Sequence, residues 1–237
     1  MKNKLWYIPA AFFVVAAIAN LCGCVFSEDM ASAVKPSLLP LVALTTVCFA
    51  FDKQISLKGL GLLVAAQLLG CAGDILLIHS ETFLLFAGGM VAFLLGHVCY
   101  LCLFGKRSWK GMKAWQWAVS IVVMAGLIFG LIKFIGISGA LLPPMAVYAC
   151  GLVLLPFAGL CGVIRLKGAT WWIIFCGGLL FLFSDSMIAV STFMKPSFAG
   201  MHLLVMSTYL AAQVLLAIGA LRLLQSESKA QLERNTL

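Results

Sequence analysis

Acidic side chains are scarce in this sequence. Only eight of its 237 residues are Asp or Glu, all charged residues together make up 10% of the chain, and 63% is hydrophobic. This composition excludes an ordinary soluble domain and is typical of a helical protein that crosses a membrane several times. No polar stretch is long enough for a separate soluble domain. We therefore predict one domain over residues 1–237, with a tail at about 225–237 outside the membrane.

The sequence also lacks the motifs of the common hydrolases. It contains no G-x-S-x-G nucleophile motif, no H-E-x-x-H zinc motif and no glycine-rich loop for binding phosphate. Only three histidines are present, and the nine cysteines all fall within apolar segments, where we interpret them as small buried hydrophobic residues. We therefore predict no metal site and no cofactor.

Long apolar runs are what the sequence does contain. A helix that spans a membrane needs about 20 mostly apolar residues. Eight segments meet this requirement, at approximately 5–26, 34–51, 59–78, 82–104, 115–136, 139–162, 169–193 and 200–224. We predict an all-α fold, a bundle of eight transmembrane helices joined by short loops.

The net charge is +8, and the positive residues are unevenly distributed between alternate connections of the predicted helices. Of the 16 Lys and Arg residues, 13 lie at the two termini and in the second, fourth and sixth connections, and the other three are Lys35, Lys133 and Lys195. By the positive-inside rule both termini face the cytoplasm, which requires an even number of helices. We predict an integral protein of a bacterial cytoplasmic (inner) membrane. Its predicted partner is the lipid bilayer, and we expect no binding of nucleic acid.

Two of the acidic residues lie inside apolar segments, Asp74 in LLGCAGDILLI and Asp185 in LLFLFSDSMIA. A carboxylate at the centre of a spanning helix costs about 2.5–3.5 kcal/mol. A plain membrane anchor has no reason to keep two of them. We interpret them as a functional pair rather than a structural one.

The two aspartates fall at similar predicted depths. With a rise of about 1.5 Å per residue, Asp74 lies about 24 Å from Lys58, and Asp185 lies about 27 Å from Lys167. The same measurement predicts one layer in the outer half of the membrane, lining a polar cavity, that also holds Lys35, Tyr148 and Tyr209.

Other polar residues in the helices are candidates for supporting roles. Lys35 could hold an aspartate ionised or bind a substrate phosphate, or it could extend to the outer interface. Tyr148 and Tyr209 could donate hydrogen bonds to water or substrate, or tie helices together.

Four further candidates complete this set. His97 and Tyr100, one turn apart, could orient a polar head group, and a histidine that bonds between helices is the alternative. Gln213 shares a helix face with Tyr209. Ser184 precedes Asp185, and we expect it to form a local hydrogen bond.

Three stretches in order along the chain, AGDILL, GGMVAFLLGHVCYL and GGLLFLFSDSMIAV, resemble the YhhN family of multipass membrane proteins. Lys35-Pro36, expected to open the second helix, and Tyr209-x-x-x-Gln213 also match its pattern. The likeness runs from Lys35 to about Leu224. That family often has a serine one turn before the Gly-Asp of the third helix, where this chain has Gly70 and Cys71. That leaves Gln67 as the nearest local partner for Asp74.

The resemblance implies a lysoplasmalogenase-like activity, because the family includes the lysoplasmalogenases. The expected substrate is a single-chain ether lysophospholipid, and its vinyl-ether bond would be hydrolysed to a fatty aldehyde and a glycerophospho-alcohol. Such a bond is cleaved by protonating the β-carbon, which needs an acid, a nearby anion and an oriented water. Glycosidases solve the same oxocarbenium problem with two carboxyl groups in unlike environments.

Asp74 and Asp185 suit this chemistry. Burial favours the protonated form of a carboxyl group, and a neighbouring carboxylate favours it further. We take Asp185 as the acid because Phe181 and Phe183 make its surroundings more apolar. Two other classes stay open, a metal-dependent membrane lipid hydrolase and a proton-coupled transporter or receptor-like lipid binder.

Overall fold

The computed structural model describes residues 4–57, 59–135, 142–193 and 200–235. These residues form eight α-helices and no strand, which confirms the predicted all-α fold. Lys58, the reference point for the depth of Asp74, and Lys195 lie outside the described residues. The helices are α1 (Tyr7–Phe26), α2 (Glu28–Asp52), α3 (Leu60–Ile78), α4 (Phe83–Trp109), α5 (Ala114–Ile135), α6 (Leu142–Leu166), α7 (Ala169–Phe193) and α8 (Met201–Asn235).

Most of these helices have membrane length. Among the described residues, seven helices are long and apolar enough to span a bilayer, namely α1 to α4 and α6 to α8. The apolar part of α5 that is described, Ala114–Gly130, is shorter. The chain is therefore a helical integral membrane protein, and the eighth span and the cytoplasmic termini stay predictions.

Helix α2 begins six residues before the predicted segment. The Ser27 side chain accepts a hydrogen bond from a backbone N–H of the first turn, and Glu28 and Asp29 complement the positive end of the helix dipole. Lys35 and Pro36 therefore lie two turns inside α2. The expectation that they open this helix is wrong, because counting apolar residues ignores a polar helix start.

Helix α8 continues past the predicted end at about residue 224 and reaches Asn235. The Ser228 hydroxyl accepts a hydrogen bond of 2.9 Å from the backbone N–H of Ser56, in the connection between α2 and α3. Much of the predicted tail is thus helical and attached to the connection before α3. Its position outside the membrane stays a prediction.

The contacts between residues group the chain into two compact units, Met1–Leu103 with Ala217–Leu237, and Phe104–Leu216. In the first unit α1 packs on α2, and α2 packs on α3. In the second unit α5 packs on α6, and α6 packs on α7. Helices α4 and α8 contribute residues to both units.

Glycines allow α6 and α7 to approach closely in the second unit. A Cβ atom on Gly159 would lie 2.6 Å from Cα of Phe175, and one on Gly178 would lie 2.8 Å from the backbone nitrogen of Pro156. Any larger side chain at these positions would push the two backbones apart. The earlier residue of α6 lies opposite the later residue of α7, so the two helices are antiparallel. Asp185 lies on the same interface, further along α7.

Candidate active site

Asp74 forms an ion pair with Lys35 in the first unit. Nζ of Lys35 lies 3.1 Å from Oδ1 of Asp74, and the side chains are 18% and 2% exposed. The two residues come from adjacent helices, α2 and α3, and their meeting agrees with their similar predicted depths. An ammonium group at this distance is the partner of a carboxylate anion. This contact is the one that Lys35 would need in order to hold an aspartate ionised, which is one of the roles considered for it.

The backbone beside Lys35 is shaped by two prolines. The carbonyl of Pro36 would normally accept from the N–H four residues later, but that residue is Pro40, which has none. The Cys71 thiol contacts this carbonyl instead, with Sγ 3.4 Å from the oxygen. Position 71 thus supplies a donor to the α2 backbone next to the ion pair. A serine, which the resemblance leads us to expect one turn before Gly-Asp, would supply the same kind of donor.

Gln67 does not take the role expected of it as the local partner of Asp74. Its Nε2 donates a hydrogen bond of 3.1 Å to the Thr46 hydroxyl on α2, and both side chains are buried. The described partner of Asp74 is Lys35, on a different helix. Sequence reasoning missed Thr46, because nothing in a helical repeat indicates which residue of a neighbouring helix lies opposite.

Asp185 has a partner of another kind in the second unit. The Tyr148 hydroxyl on α6 donates a hydrogen bond of 2.7 Å to Oδ2 of Asp185 on α7. Asp185 is buried, with 6% of its surface exposed. A protonated carboxyl group can accept this bond at one oxygen and carry its proton on the other. Tyr148 therefore orients Asp185 whether that residue is ionised or protonated.

The serine beside Asp185 bonds to another helix. Ser184 Oγ donates a hydrogen bond of 3.0 Å to the backbone carbonyl of Val205 on α8. The expected local hydrogen bond of Ser184 is therefore wrong. The contact fixes α7 against α8 at the level of the aspartate, and it engages the hydroxyl, as expected of a structural residue rather than a nucleophile.

An aromatic pair lies one turn from Asp185. Phe181 precedes Asp185 by four residues on the same face of α7, and its ring meets that of Tyr209 edge-on, with centroids 5.6 Å apart. Tyr209 and Gln213 are both buried, one turn apart on α8. These rings agree with the predicted apolar surroundings of Asp185, whereas the other expected aromatic neighbour, Phe183, is 42% exposed.

His97 and Tyr100 are both buried in α4, within the first unit. Nδ1 of His97 lies 2.8 Å from the backbone carbonyl of Phe93, one turn earlier. A carbonyl can only accept, so Nδ1 carries the hydrogen in this contact. The roles of His97 and Tyr100 toward a head group stay predictions.

The described residues offer no cluster of three His, Cys, Asp or Glu side chains that could hold a metal ion. The two buried aspartates have different partners, a lysine ammonium for Asp74 and a tyrosine hydroxyl for Asp185. The two carboxyl groups therefore lie in unlike surroundings, each within its own unit.

Membrane-length helices that bury carboxyl groups, each with a partner on a neighbouring helix, define a polytopic membrane protein with ionisable groups inside its spans. The sequence model of the YhhN family matches residues 7–220, so the chain belongs to the YhhN family. The match includes both aspartates and every supporting candidate, and it confirms the resemblance drawn from the motifs.

Several curated proteins are similar to this chain. It is 32% identical to lysoplasmalogenase TMEM86A of Bos taurus over 139 residues, which cover 57% of this chain and 55% of that protein. It is 31% identical to lysoplasmalogenase TMEM86B of Homo sapiens over 161 residues, 68% of this chain and 64% of that protein. The chain thus spans less than two thirds of the length of either relative. No solved structure matches it.

Proposed function

We propose that this protein is a lysoplasmalogenase-like membrane hydrolase. Its substrate is a single-chain ether lysophospholipid, and it cleaves the vinyl-ether bond to a fatty aldehyde and a glycerophospho-alcohol. The observation that carries the proposal is the match to the YhhN family over residues 7–220, which contains both buried aspartates. The names of the two similar proteins reported above, both lysoplasmalogenases, support the choice of substrate.

The reaction needs a proton donor and a stabilising anion but no nucleophilic side chain. A proton is added to the β-carbon of the vinyl ether, and the α-carbon and ether oxygen then share the positive charge of an oxocarbenium ion. Water adds to this cation, and the resulting hemiacetal collapses to the aldehyde and the free alcohol. The reaction consumes one water, and the carboxylic acid regains the proton that it gave to the vinyl carbon. No cofactor takes part in this scheme.

We assign the anion to Asp74 and the acid to Asp185. Lys35, 3.1 Å from Asp74, supports a permanently charged carboxylate there, which would stabilise the developing cation. Asp185 has the buried Phe181 one turn away and accepts its bond from the hydroxyl of Tyr148. That setting suits a carboxyl group that gives up and regains a proton.

The proposed reaction uses both carboxyl groups. Its support is the similar number of residues, 16 and 18, that separates Asp74 and Asp185 from the basic residues Lys58 and Lys167 at their helix ends. Eight spans with cytoplasmic termini would put both groups in the outer half of the membrane. The four candidates not yet assigned, His97, Tyr100, Tyr209 and Gln213, would bind the head group or the attacking water.

A substrate panel on the purified protein in detergent tests the function. We expect aldehyde from a lysoplasmalogen, and neither aldehyde nor fatty acid from the matching alkyl-ether and acyl lysophospholipids. The alkyl ether is the matched control, because it differs only in lacking the double bond that accepts the proton. We expect the rate to be unchanged after exhaustive chelation.

Three results would contradict the proposal. Fatty acid without aldehyde would indicate an esterase or amidase, and loss of activity on chelation with recovery on adding zinc would favour the metal-dependent alternative. Binding of the lysoplasmalogen without any product would favour a transporter or receptor-like binder, since transport has no meaning in detergent.

A further inference from the structure

The second unit carries a concentration of positive charge that the proposed reaction does not use. Two neighbouring connections, α4–α5 and α6–α7, and the last turns of the helices before them hold six basic residues that we call the basic face: Lys106, Arg107, Lys110, Lys113, Arg165 and Lys167. No Asp or Glu occurs anywhere in the sequence from residue 104 to residue 184. We propose that the basic face is a binding surface for the head groups of anionic phospholipids.

Arg165 joins the two connections. Its Nε donates a hydrogen bond of 3.1 Å to the carbonyl of Ser108, and its Nη2 donates to the carbonyl of Arg107. Carbonyls in the last turn of a helix have no donor within the helix, so Arg165 caps the end of α4. The four lysines of the basic face remain exposed. The guanidinium group of Arg165 thus holds the two connections together, and the exposed lysines are the residues that would bind the lipid head group.

Both connections contain residues with a positive φ. Only four residues separate α4 from α5, Gly111 among them has a φ of +83°, and the N–H of Lys113 donates to Oε1 of Gln116 at 2.8 Å. Lys167 has a φ of +49°, a left-handed conformation that glycine adopts easily and lysine rarely does. Lys167 follows directly on the last residue of α6, and its side chain is exposed.

Exposed tryptophans indicate what covers this surface. Trp115 at the start of α5 is 58% exposed, and Trp172 at the start of α7 is 52% exposed. Indole rings are enriched at the membrane–water interface, at the level of the head groups. The basic face therefore lies at the depth of lipid phosphates, which favours a lipid head group over a soluble polyanion.

The lipid preference can be measured without any reference to hydrolase activity. Purified full-length protein in a zwitterionic detergent would be titrated with phosphatidylglycerol or with phosphatidylcholine of the same acyl chains, and the thermal unfolding midpoint recorded. We expect phosphatidylglycerol to raise the midpoint more than phosphatidylcholine does. We expect the difference to shrink in 1 M salt, where charges are screened within about 3 Å.

Charge removal locates the effect. Lys110→Gln/Lys113→Gln should remove at least half of the difference between the two lipids. The matched control, Lys229→Gln/Arg234→Gln, removes two exposed charges from the end of α8 and should leave the difference intact. If the first variant does not fold, the count of bound phosphatidylglycerol molecules on the wild type, measured by native mass spectrometry at low and high salt, replaces it.

Several outcomes would overturn the proposal. Equal stabilisation by the two lipids, or equal loss in the two variants, would show that the basic face has no specific role. Inorganic phosphate reproducing the shift would show an anion site rather than a lipid surface. A bound count that is the same for both lipids and insensitive to salt would also reject it.

Discussion

Asp185→Asn is expected to lower kcat/KM for aldehyde release by at least about 100-fold, the lower range for loss of a general acid. Asparagine has the same shape and can still accept the hydrogen bond from Tyr148, so the fold should persist. Its amide cannot supply a proton to the vinyl carbon. The measurement is aldehyde release from lysoplasmalogen by the purified variant, with its thermal unfolding midpoint recorded beside it.

Two further variants serve as comparisons for Asp185→Asn. Asp29→Asn makes the same chemical change at an exposed residue in the first turn of α2 and should keep near-normal activity. Tyr148→Phe removes only the hydroxyl that orients Asp185, so it should reduce the rate by less than Asp185→Asn does. If Asp185→Asn kept a third or more of the wild-type rate, Asp185 would not be the acid.

Lys35→Met is expected to destabilise the protein by about 3 kcal/mol, the lower end of the range for a broken buried ion pair, because Lys35 is partly exposed. The change removes the described counter-charge of Asp74, whose side chain is only 2% exposed. Methionine keeps the length and apolar stem of the lysine, so lost packing contributes little. Thermal or denaturant unfolding in detergent measures the change.

The double variant Lys35→Met/Asp74→Asn separates stability from catalysis. Removing both charges leaves no uncompensated ion, so most of the lost stability should return. Activity should not return, because the anion that stabilises the cation is gone. A double variant as unstable as Lys35→Met alone would show that the pair is not coupled, and restored aldehyde release would show that Asp74 has no part in the reaction.

The eight helices could be predicted because membrane-length apolar runs determine where helices form in a bilayer. Their ends could not be predicted equally well. The start of α2 depends on Ser27 and two acidic residues, and the end of α8 lies among polar residues that an apolar count treats as tail. Both errors have one cause, since capping and polar helical segments carry no hydropathy signal.

The burial of the candidate residues could be predicted more fully than their contacts. Buried charge identified Asp74 and Asp185, and helical rise placed Lys35 and Tyr148 near their depth. Which side chains pair depends on which helices are neighbours and on how each helix is rotated about its axis. The depth of a residue in the membrane gives neither. The hydrogen bond from Gln67 to Thr46 was missed for the same reason.

Hydrolysis in deuterium oxide tests the central claim, protonation of the vinyl carbon by a fixed carboxylic acid. The aldehyde would be reduced at once with borohydride, and the deuterium located by mass spectrometry and NMR with a chiral derivative. A single deuterium next to the former carbonyl carbon, in one configuration, is the predicted result, since an acid held by the protein adds to one face. A racemic product, as from an enol released into solution, or a product without deuterium would contradict the account.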